Sequence, residues 1–430
     1  MNVLLIGNGA REHAIAAALK QATIYNIANR INPGILALAK EIAIMPFENK
    51  AGICAFAKEK SIHFAIIGPE KPLELGLAEV LWQANIPVIG PTTALAQIEC
   101  SKGFARDLMR SYRIPGLPHY QRFPHVTAQT EPFLKSLQDR YVVKADGLMS
   151  GKGVKVAGDH LHSLEEALDF CESINGAFVI EEKLLGHEFS LLSFSDGNTM
   201  AHMPVVQDHK RLLAGDQGPN TGGMGTITFA NHRLPFLNEQ DILFAQKINE
   251  SIVAGLHDKT GQSYQGILYG GFMKTTSGIK VIEYNARFGD PEAINLLGLL
   301  KTDFLTICQA IIQGKLHELP VHFENRASVC KYLVPNGYPN LISKDGVLDV
   351  SAVHHPETLY YGAIEMRDNK LVMQDSRALA VFSLGEDLSK AEASVEKVIS
   401  EIQGDFYYRA DIGKRHSQLL ESPWLDHGVY

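Results

Sequence analysis

Val3-Leu4-Leu5-Ile6-Gly7-Asn8-Gly9-Ala10-Arg11-Glu12-His13 runs from an apolar strand through a two-glycine turn into a helix, and the rest of the fold is read outward from it. Arg11 to Ala22 keep helical spacing, with Ala14, Ala17, Ala18 and Ala22 on one face. Tyr25 to Arg30 reads as the next strand, Phe64-Ala65-Ile66-Ile67-Gly68 as another, Leu75 to Ala84 as a helix and Pro87-Val88-Ile89-Gly90 as a further strand. Such alternation predicts a parallel, doubly wound sheet whose ligands lie at the carboxyl ends of its strands.

Beyond this sheet the spacing predicts one long helix from about Thr93 to Tyr112, ending before Pro115 and Pro118. Tyr141 to Ala145 and Val154 to Ala157, joined by a glycine-rich turn, read as a hairpin. With a helix near Leu164 to Ile174 and the strand Phe178-Val179-Ile180 they form a small α+β unit. Strand patterns return at Ser190–Ser195, Ile267–Met273 and Val281–Tyr284, with helices near Asp241–His257 and Asp303–Gln313. After about Asn325 the pattern is β-rich until a helix near Lys390–Ile402. The expected organisation is α/β and α+β multidomain: an α/β domain over 1–100, a middle domain over 101–325 with a lid unit at about 120–187, and a β-rich domain over 326–430.

Composition agrees with several domains. The chain has 430 residues, 45% hydrophobic and 20% charged, enough for about three cores at roughly 150 residues each. That excludes a mostly disordered chain, a collagen-like fibre and a coiled coil. Lys plus Arg is 40 against Asp plus Glu 48, so the net charge is 40 − 48 = −8. No basic block is present, so nucleic acid is not an expected partner, although a local basic cleft for a small anion is compatible. The five cysteines form no Cys-x-x-Cys pair, which argues against a disulfide scaffold or zinc cluster and for a reducing compartment. No apolar run reaches about 18 residues and no signal-peptide pattern opens the chain; the expected location is cytoplasmic, away from membranes.

Four motifs carry chemistry. In Gly7 to His13 a helix N-terminus, with Arg11 beside it, can receive an anion. The same turn read as a nicotinamide fingerprint is weakened by Glu12 at the third glycine position and by the lack of an acidic residue ending Tyr25–Arg30; a purely structural tight turn is the third reading. Lys144-Ala145-Asp146-Gly147-Leu148-Met149-Ser150-Gly151-Lys152-Gly153 lies between two strands and has Gly153 where a P-loop needs Ser or Thr. Its glycines let backbone amides approach phosphates, with charge from Lys144 and Lys152, unless it is only a surface hairpin. In Val281 to Glu292, Glu283 and Asn285 share one strand face and offer hard oxygens suited to Mg²⁺. Arg287 shares that face and can meet a transferring phosphoryl group; a structural salt-bridge cluster is the bland alternative. The fourth motif joins Gln207-Asp208-His209-Lys210-Arg211 to Gly218-Pro219-Asn220-Thr221-Gly222-Gly223-Met224-Gly225, whose four glycines predict a loop. Among lesser signals, Glu181-Glu182-Lys183-Leu184 suits either a base and ribose or a solvated strand end. His354-His355 and His160-x-His162 read as surface residues, and the apolar stripe of Asp303–Gln313 as core.

Together, and in this order, these motifs resemble the ATP-grasp superfamily and, within it, the phosphoribosylamine–glycine ligase family. Ile67-Gly68-Pro69-Glu70, Gly90-Pro91-Thr92 and Ser101-Lys102 extend the likeness over nearly the whole chain. Gly218 to Gly225 and Asn285 to Glu292 are the segments special to that family. Asn32-Pro33-Gly34-Ile35, Lys331 to Pro339 and Asp375-Ser376-Arg377 resemble its archaeal-type branch. The resemblance implies an ATP-grasp core under a lid, ATP with Mg²⁺ or Mn²⁺, and ligation of glycine to 5-phosphoribosylamine through a glycyl phosphate, by a monomer or homodimer. It implies that Lys102 and Lys144 contact ATP, that Gly147, Gly151, Lys152 and Gly153 lie over its phosphates, that Glu181, Glu182 and Leu184 line the adenine pocket, and that Glu188 takes the ribose. Glu283 and Asn285 would hold metal, and Arg287 would face the phosphates. Gly9 and Arg11 would bind the sugar phosphate and Glu70 the sugar hydroxyls. Asp208, Lys210, Arg211, Asn220, Thr221 and Asp290 would frame the glycine and amine, with Arg377 a further C-terminal contact. Gly270 and Gly271 stand where many ATP-grasp proteins carry another metal ligand.

The rival readings are other ATP-grasp purine enzymes, a nicotinamide-dependent dehydrogenase and a non-catalytic nucleotide-binding regulator. The Gln207–Arg211 and Gly218–Gly225 segments disfavour the first. Glu12 disfavours the second, and Lys144, Glu283, Asn285 and Arg287 together disfavour the third.

Overall fold

Five parallel strands form the N-terminal sheet in the order Glu41–Ile44, Thr23–Ala28, Asn2–Ile6, Phe64–Ile67, Val88–Ile89. The structure is a computed structural model and describes residues 1–148, 153–340 and 345–414. Strand order reverses between Asn2–Ile6 and Phe64–Ile67, so the turns after them, at Gly7–Gly9 and Gly68–Glu70, open on one crevice. Glu12 fills the space between these turns: a Cβ on Gly68 would lie 2.1 Å from Glu12 Oε1. The doubly wound sheet is therefore as the alternation predicts. Its first helix, Ala10–Ala18, stops short of Ala22, because Thr23 already pairs with Asn2 in the sheet.

The long helix read over Thr93 to Tyr112 is corrected to two, Thr93–Cys100 and Lys102–Ser111. Ser101 between them is extended, with φ −135° and ψ 112°. Its hydroxyl accepts from the Phe104 N–H, 3.0 Å, and donates to Asp146 Oδ2, 3.1 Å. A serine at a helix start relieves an otherwise unpaired N–H, and apolar spacing cannot register that change of partner. The break places Lys102 on the first turn of the second helix, where its Nζ reaches the Gly147 carbonyl at 2.9 Å.

The lid is an antiparallel sheet ordered Tyr120–Phe123, Phe178–Glu182, Tyr141–Ala145, Val154–Val156. Helices Thr130–Ser136 and Leu164–Ser173 cover it, around a core of Phe123, Leu134, Val143, Phe178 and Ile180. The central antiparallel sheet runs Met200–His202, His187–Asp196, Gln265–Thr275, Gly278–Asn285. Phe189, Leu191, Phe272 and Tyr284 pack from one of its faces with Ala245, Ile248 and Ile252 of the helix Glu239–Thr260. Period-two alternation then leaves Glu188, Ser190, Tyr269, Gly271, Glu283 and Asn285 together on the opposite face.

Two further sheets build the C-terminal region. One runs Gln207–Asp208, Gly225–Thr228, Ala327–Pro335, Leu379–Gly385, Leu359–Tyr361, and the other Ile364–Arg367, Lys370–Met373, Val347–Asp349, Gln403–Gly404. The predicted loop over Gly218–Gly225 is thereby corrected. Gln217–Asn220 pairs antiparallel with Arg211–Leu213, and Gly225 opens a strand. Glycine is required there by packing: a Cβ at Gly225 would sit 2.2 Å from the Cys330 carbonyl oxygen. No described helix is long and apolar enough to cross a membrane.

Candidate active site

The polar face of the central sheet is the floor of the site. Gly271 stands opposite Glu283 across the ladder, and a Cβ there would lie 3.3 Å from Glu283 Cγ, so the glycine leaves room for the carboxylate. Glu283 and Asn285 are half-buried on this face while Tyr284 between them is buried. Burial works to raise the Glu283 pKa, but Lys210, Lys144, Lys102 and Arg287 together hold it below the ordinary carboxylate range. Four cations thus surround Glu283, three of them also paired with further carboxylates, Lys210 with Glu188, Lys144 with Glu181 and Arg287 with Glu99 and Glu70; ammonium and guanidinium groups gathered in this way suit the oxygens of a polyphosphate. Glu188, buried beside it, is ion-paired with Lys210, whose Nζ also lies 3.7 Å from Glu283.

Lys144 belongs to a buried triad at the joint between lid and core. Arg106 grips Glu181 with both arms of its guanidinium, 2.7 and 3.0 Å, and donates to the Ile282 carbonyl at 2.6 Å. Glu181 also takes Lys144 Nζ at 2.9 Å. Burial alone would raise the Glu181 pKa, yet the two cations pull it down to about 2. Burial and the neighbouring Arg106 push the Lys144 ammonium down while Glu181 supports it. Two cations share one carboxylate, so the triad carries a net positive charge. Glu181 therefore turns both oxygens to Arg106 and Lys144. Glu182 accepts from the His119 N–H at 2.8 Å. Leu184 forms a small buried apolar cluster with Met273 and Ile282 beside the triad.

Arg287 spans the two ends of the crevice. It pairs with Glu99 at 2.8 Å and Glu70 at 3.4 Å, and Glu99 also accepts the Ala286 N–H at 2.7 Å. Arg287 thus stands between the N-terminal turns and the strand face that carries Glu283 and Asn285. Arg11 Nε is bonded to Glu12 at 2.6 Å and its Nη1 to the Phe288 carbonyl at 3.2 Å. The Gly9 N–H donates to Glu12 Oε2 at 2.5 Å. The turn therefore carries an acidic group as well as a helix N-terminus.

The segment Gln207–Gly225 closes the site from the C-terminal side. Asp208 is buried, its Oδ1 has no hydrogen-bond partner, and burial together with Glu292 pushes its carboxyl well above the usual range. Asn220 Oδ1 is likewise buried and unpartnered. The Thr221 hydroxyl and N–H both donate to the Lys210 carbonyl at 2.8 Å, fixing the backbone under that lysine. Arg211 is ion-paired with Asp159 of the lid and donates to the Gly218 carbonyl. Asp290 accepts from Tyr332 at 2.6 Å, and Arg377 and Arg11 hold it ionised against burial. Arg377 donates to the carbonyls of Gly222, Gly223 and Asp290, so the C-terminal region ties the Gln207–Gly225 segment to the stretch after Asn285.

Gly147 and Gly153 flank the lid turn, whereas Gly151 and Lys152 lie outside the described residues. Sequence reasoning missed Arg106, Glu99 and Glu292. A signal existed for two of them: Arg106 falls within the buried set Ala105, Leu108 and Met109 of its helix, and Glu99 within Leu95, Ala96 and Ile98 of the preceding one. A charge on an apolar helix face requires a partner.

Residues 1–99 match the phosphoribosylglycinamide synthetase N domain, 100–293 its ATP-grasp (A) domain and 328–415 its C domain. The chain is 44% identical over 419 residues to a phosphoribosylamine–glycine ligase of Methanosarcina acetivorans, covering 96% of this chain and 94% of that one. It is similar to the crystal structure of phosphoribosylamine–glycine ligase from Thermotoga maritima, with TM-score 0.81, 27% identity, and 96% and 100% of the two chains covered. An N5-carboxyaminoimidazole synthetase from Staphylococcus aureus, crystallised with ADP, shares the fold with TM-score 0.63 and 14% identity over 92% and 96% of the chains. With these matches in order along the sequence, the chain belongs to the phosphoribosylglycinamide synthetase family, built on an ATP-grasp core.

Proposed function

We propose that the chain ligates glycine to 5-phosphoribosylamine at the expense of ATP, giving glycinamide ribonucleotide, ADP and phosphate, in purine biosynthesis. Its likeness to enzymes named for this reaction supports the reading, and the convergence of Lys102, Lys144, Lys210 and Arg287 on Glu283 carries it. A glycine carboxylate oxygen attacks the γ-phosphorus of ATP and ADP departs. The sugar amine then attacks the carbonyl carbon of the glycyl phosphate; a C–N bond forms, the C–O bond to phosphate breaks, and the amine loses a proton. An amine needs no activated nucleophile on the protein. The work lies in holding three partners in line and neutralising charge.

Lys144 and Lys102 face the nucleotide phosphates, and Leu184, Met273 and Ile282 seat the base. Glu188 takes the ribose, Glu181 and Glu182 border the base, and Gly147 and Gly153 border the phosphates, while Gly151 and Lys152, read from the sequence as phosphate contacts, lie outside the described residues. Glu283 and Asn285 supply two hard oxygens on one face, with no side chain on Gly271 to crowd them. That pair fits Mg²⁺ or Mn²⁺, which keeps waters and phosphate oxygens among its ligands, and when bound the ion screens the phosphates. Arg287 meets the transferring phosphoryl group. Gly9, Arg11 and Glu70 receive the phosphoribosyl part, while Asp208, Lys210, Arg211, Asn220, Thr221 and Asp290 frame the glycine and amine. The working units are 1–100, 101–325 and 326–430, in a cytoplasmic monomer or homodimer. A coupled assay for ADP release with fresh phosphoribosylamine, with and without glycine, tests the reading. Turnover independent of glycine overturns it.

A further inference from the structure

The motif Gln207-Asp208-His209-Lys210-Arg211 has a second face that the proposed chemistry does not use. The ladder from Gln207–Asp208 continues through His209, whose N–H donates to the Gly225 carbonyl and whose carbonyl accepts from Met224. Side chains therefore alternate through this stretch. Asp208 and Lys210 turn toward Glu188, Glu283 and Glu292 in the site. His209 turns the other way, its Nδ1 lying 3.6 Å from Asp216.

Behind that face sits Arg409, only 1% exposed. Its Nη1 donates both to the Arg211 carbonyl, 3.1 Å, and to Asp216 Oδ1, 2.6 Å. Its Nε and Nη2 take the two oxygens of Asp411 at 3.1 and 2.7 Å. Asp411 in turn accepts the Gly215 N–H at 3.0 Å, at the turn of the Arg211–Leu213 and Gln217–Asn220 hairpin. The segment bearing Arg409 is itself anchored: buried Lys331 donates to the Ala410 carbonyl and is paired with Glu392 and Glu396. One guanidinium, fixed to the C-terminal sheet, thus touches the hairpin at its root and at its tip.

We infer that Arg409 is a positioning residue for the ligase reaction, holding Asp208 and Lys210 toward the amino-acid end of the site through Arg211 and Asp216. A planar fork suits this task, because several acceptors must be met in one plane at once. The inference rests on the proposed ligase activity and adds a C-terminal residue to it that contacts no substrate.

The test is steady-state kinetics of R409M, R409K and D216N in the full chain, alongside thermal melting and calorimetric titration with MgADP. Asp216 is partly exposed, so D216N is expected to fold even if R409M does not. The expected result is a fall in kcat/KM for glycine and for phosphoribosylamine, up to about a hundredfold in R409M, the scale of a misplacement of about 1 Å. R409K is expected to recover part of this loss, and MgADP affinity, which Lys102, Lys144 and Arg287 also support, to fall much less than kcat/KM for the two substrates. Because Arg409 acts partly through Asp216, the double variant R409M/D216N is expected to lose little more than R409M alone. Variants that melt earlier but keep wild-type kcat/KM for both substrates would overturn the inference, as would equal losses in MgADP affinity. A wild-type chain without glycine-dependent ADP release would instead overturn the ligase reading.

Discussion

Replacing Arg106 with Met tests the joint between lid and core. The substitution keeps much of the apolar stem and removes the guanidinium, so Glu181 loses two hydrogen bonds and the Ile282 carbonyl loses its 2.6 Å donor. The ordinary carboxyl value of 4.5 falls to about 2 for Glu181. At about 1.4 kcal/mol per unit this is about 3 kcal/mol net of the opposing burial effect, within the range of about 3–5 kcal/mol for breaking a buried ion pair. The sign follows from a depressed carboxylate. Its contribution is full above 4.5 and disappears as pH falls toward 2. In R106M the Glu181 pKa climbs back toward 4.5, so the variant is less stable at neutral pH but loses less further stability than the wild type as pH falls from 4.5 toward 2. Removing one cation also leaves Lys144 and Glu181 neutral as a pair. A unit charge acting over about 10 Å at an effective dielectric near 20 is worth about 1.5 kcal/mol, roughly a tenfold weaker grip on nucleotide. Thermal melting between neutral and acid pH, with calorimetric titration of MgADP, measures both effects. Unchanged melting and unchanged nucleotide affinity in R106M would refute the role given to the triad.

Glu283→Ala is expected to abolish turnover while leaving the melting temperature near wild type, since the side chain it removes is 43% exposed; wild-type rates at limiting magnesium would contradict this. Ser101→Ala removes a helix cap worth about 1 kcal/mol and loosens Lys102, so the KM for ATP should rise in initial-rate assays while the KM for glycine stays constant. His13, whose pKa burial lowers to about 4, accepts the Tyr361 N–H at 3.0 Å between the N- and C-terminal domains. It stays neutral when folded but charges when unfolded below 6.5, so stability should drop by about 3 kcal/mol as pH falls from 6.5 toward 4. His13→Gln should flatten that part of the melting-against-pH curve.

Period and turn chemistry are local properties, and the features that depend on them were legible. The parallel sheet, the lid hairpin and the shared face of Glu283 and Asn285 all follow from side-chain alternation and glycine placement. Residues whose side chains face inward for a reason of charge were harder to read. Arg106 and Glu99 stand out only as charges on apolar helix faces, and their partners lie far along the chain: Glu181 is 75 positions from Arg106, and Ala286 is 187 from Glu99. The helix break at Ser101 was hidden for a related reason, since Asp146, which accepts from its hydroxyl, is 45 positions away.

From sequence alone came the identities and local order of the groups: which side chains alternate on a strand, where a turn demands glycine, and which family the motifs resemble. Only the tertiary structure decided that Gln207–Asp208 and Gly225–Thr228 join the C-terminal sheet, that one carboxylate serves both Arg106 and Lys144, and that Arg377 and Arg409 reach back to the Gln207–Gly225 segment. The physical reason is solvent exclusion. A buried charge or backbone group must find a partner wherever the packed chain brings one, and spacing along the sequence carries no record of that choice.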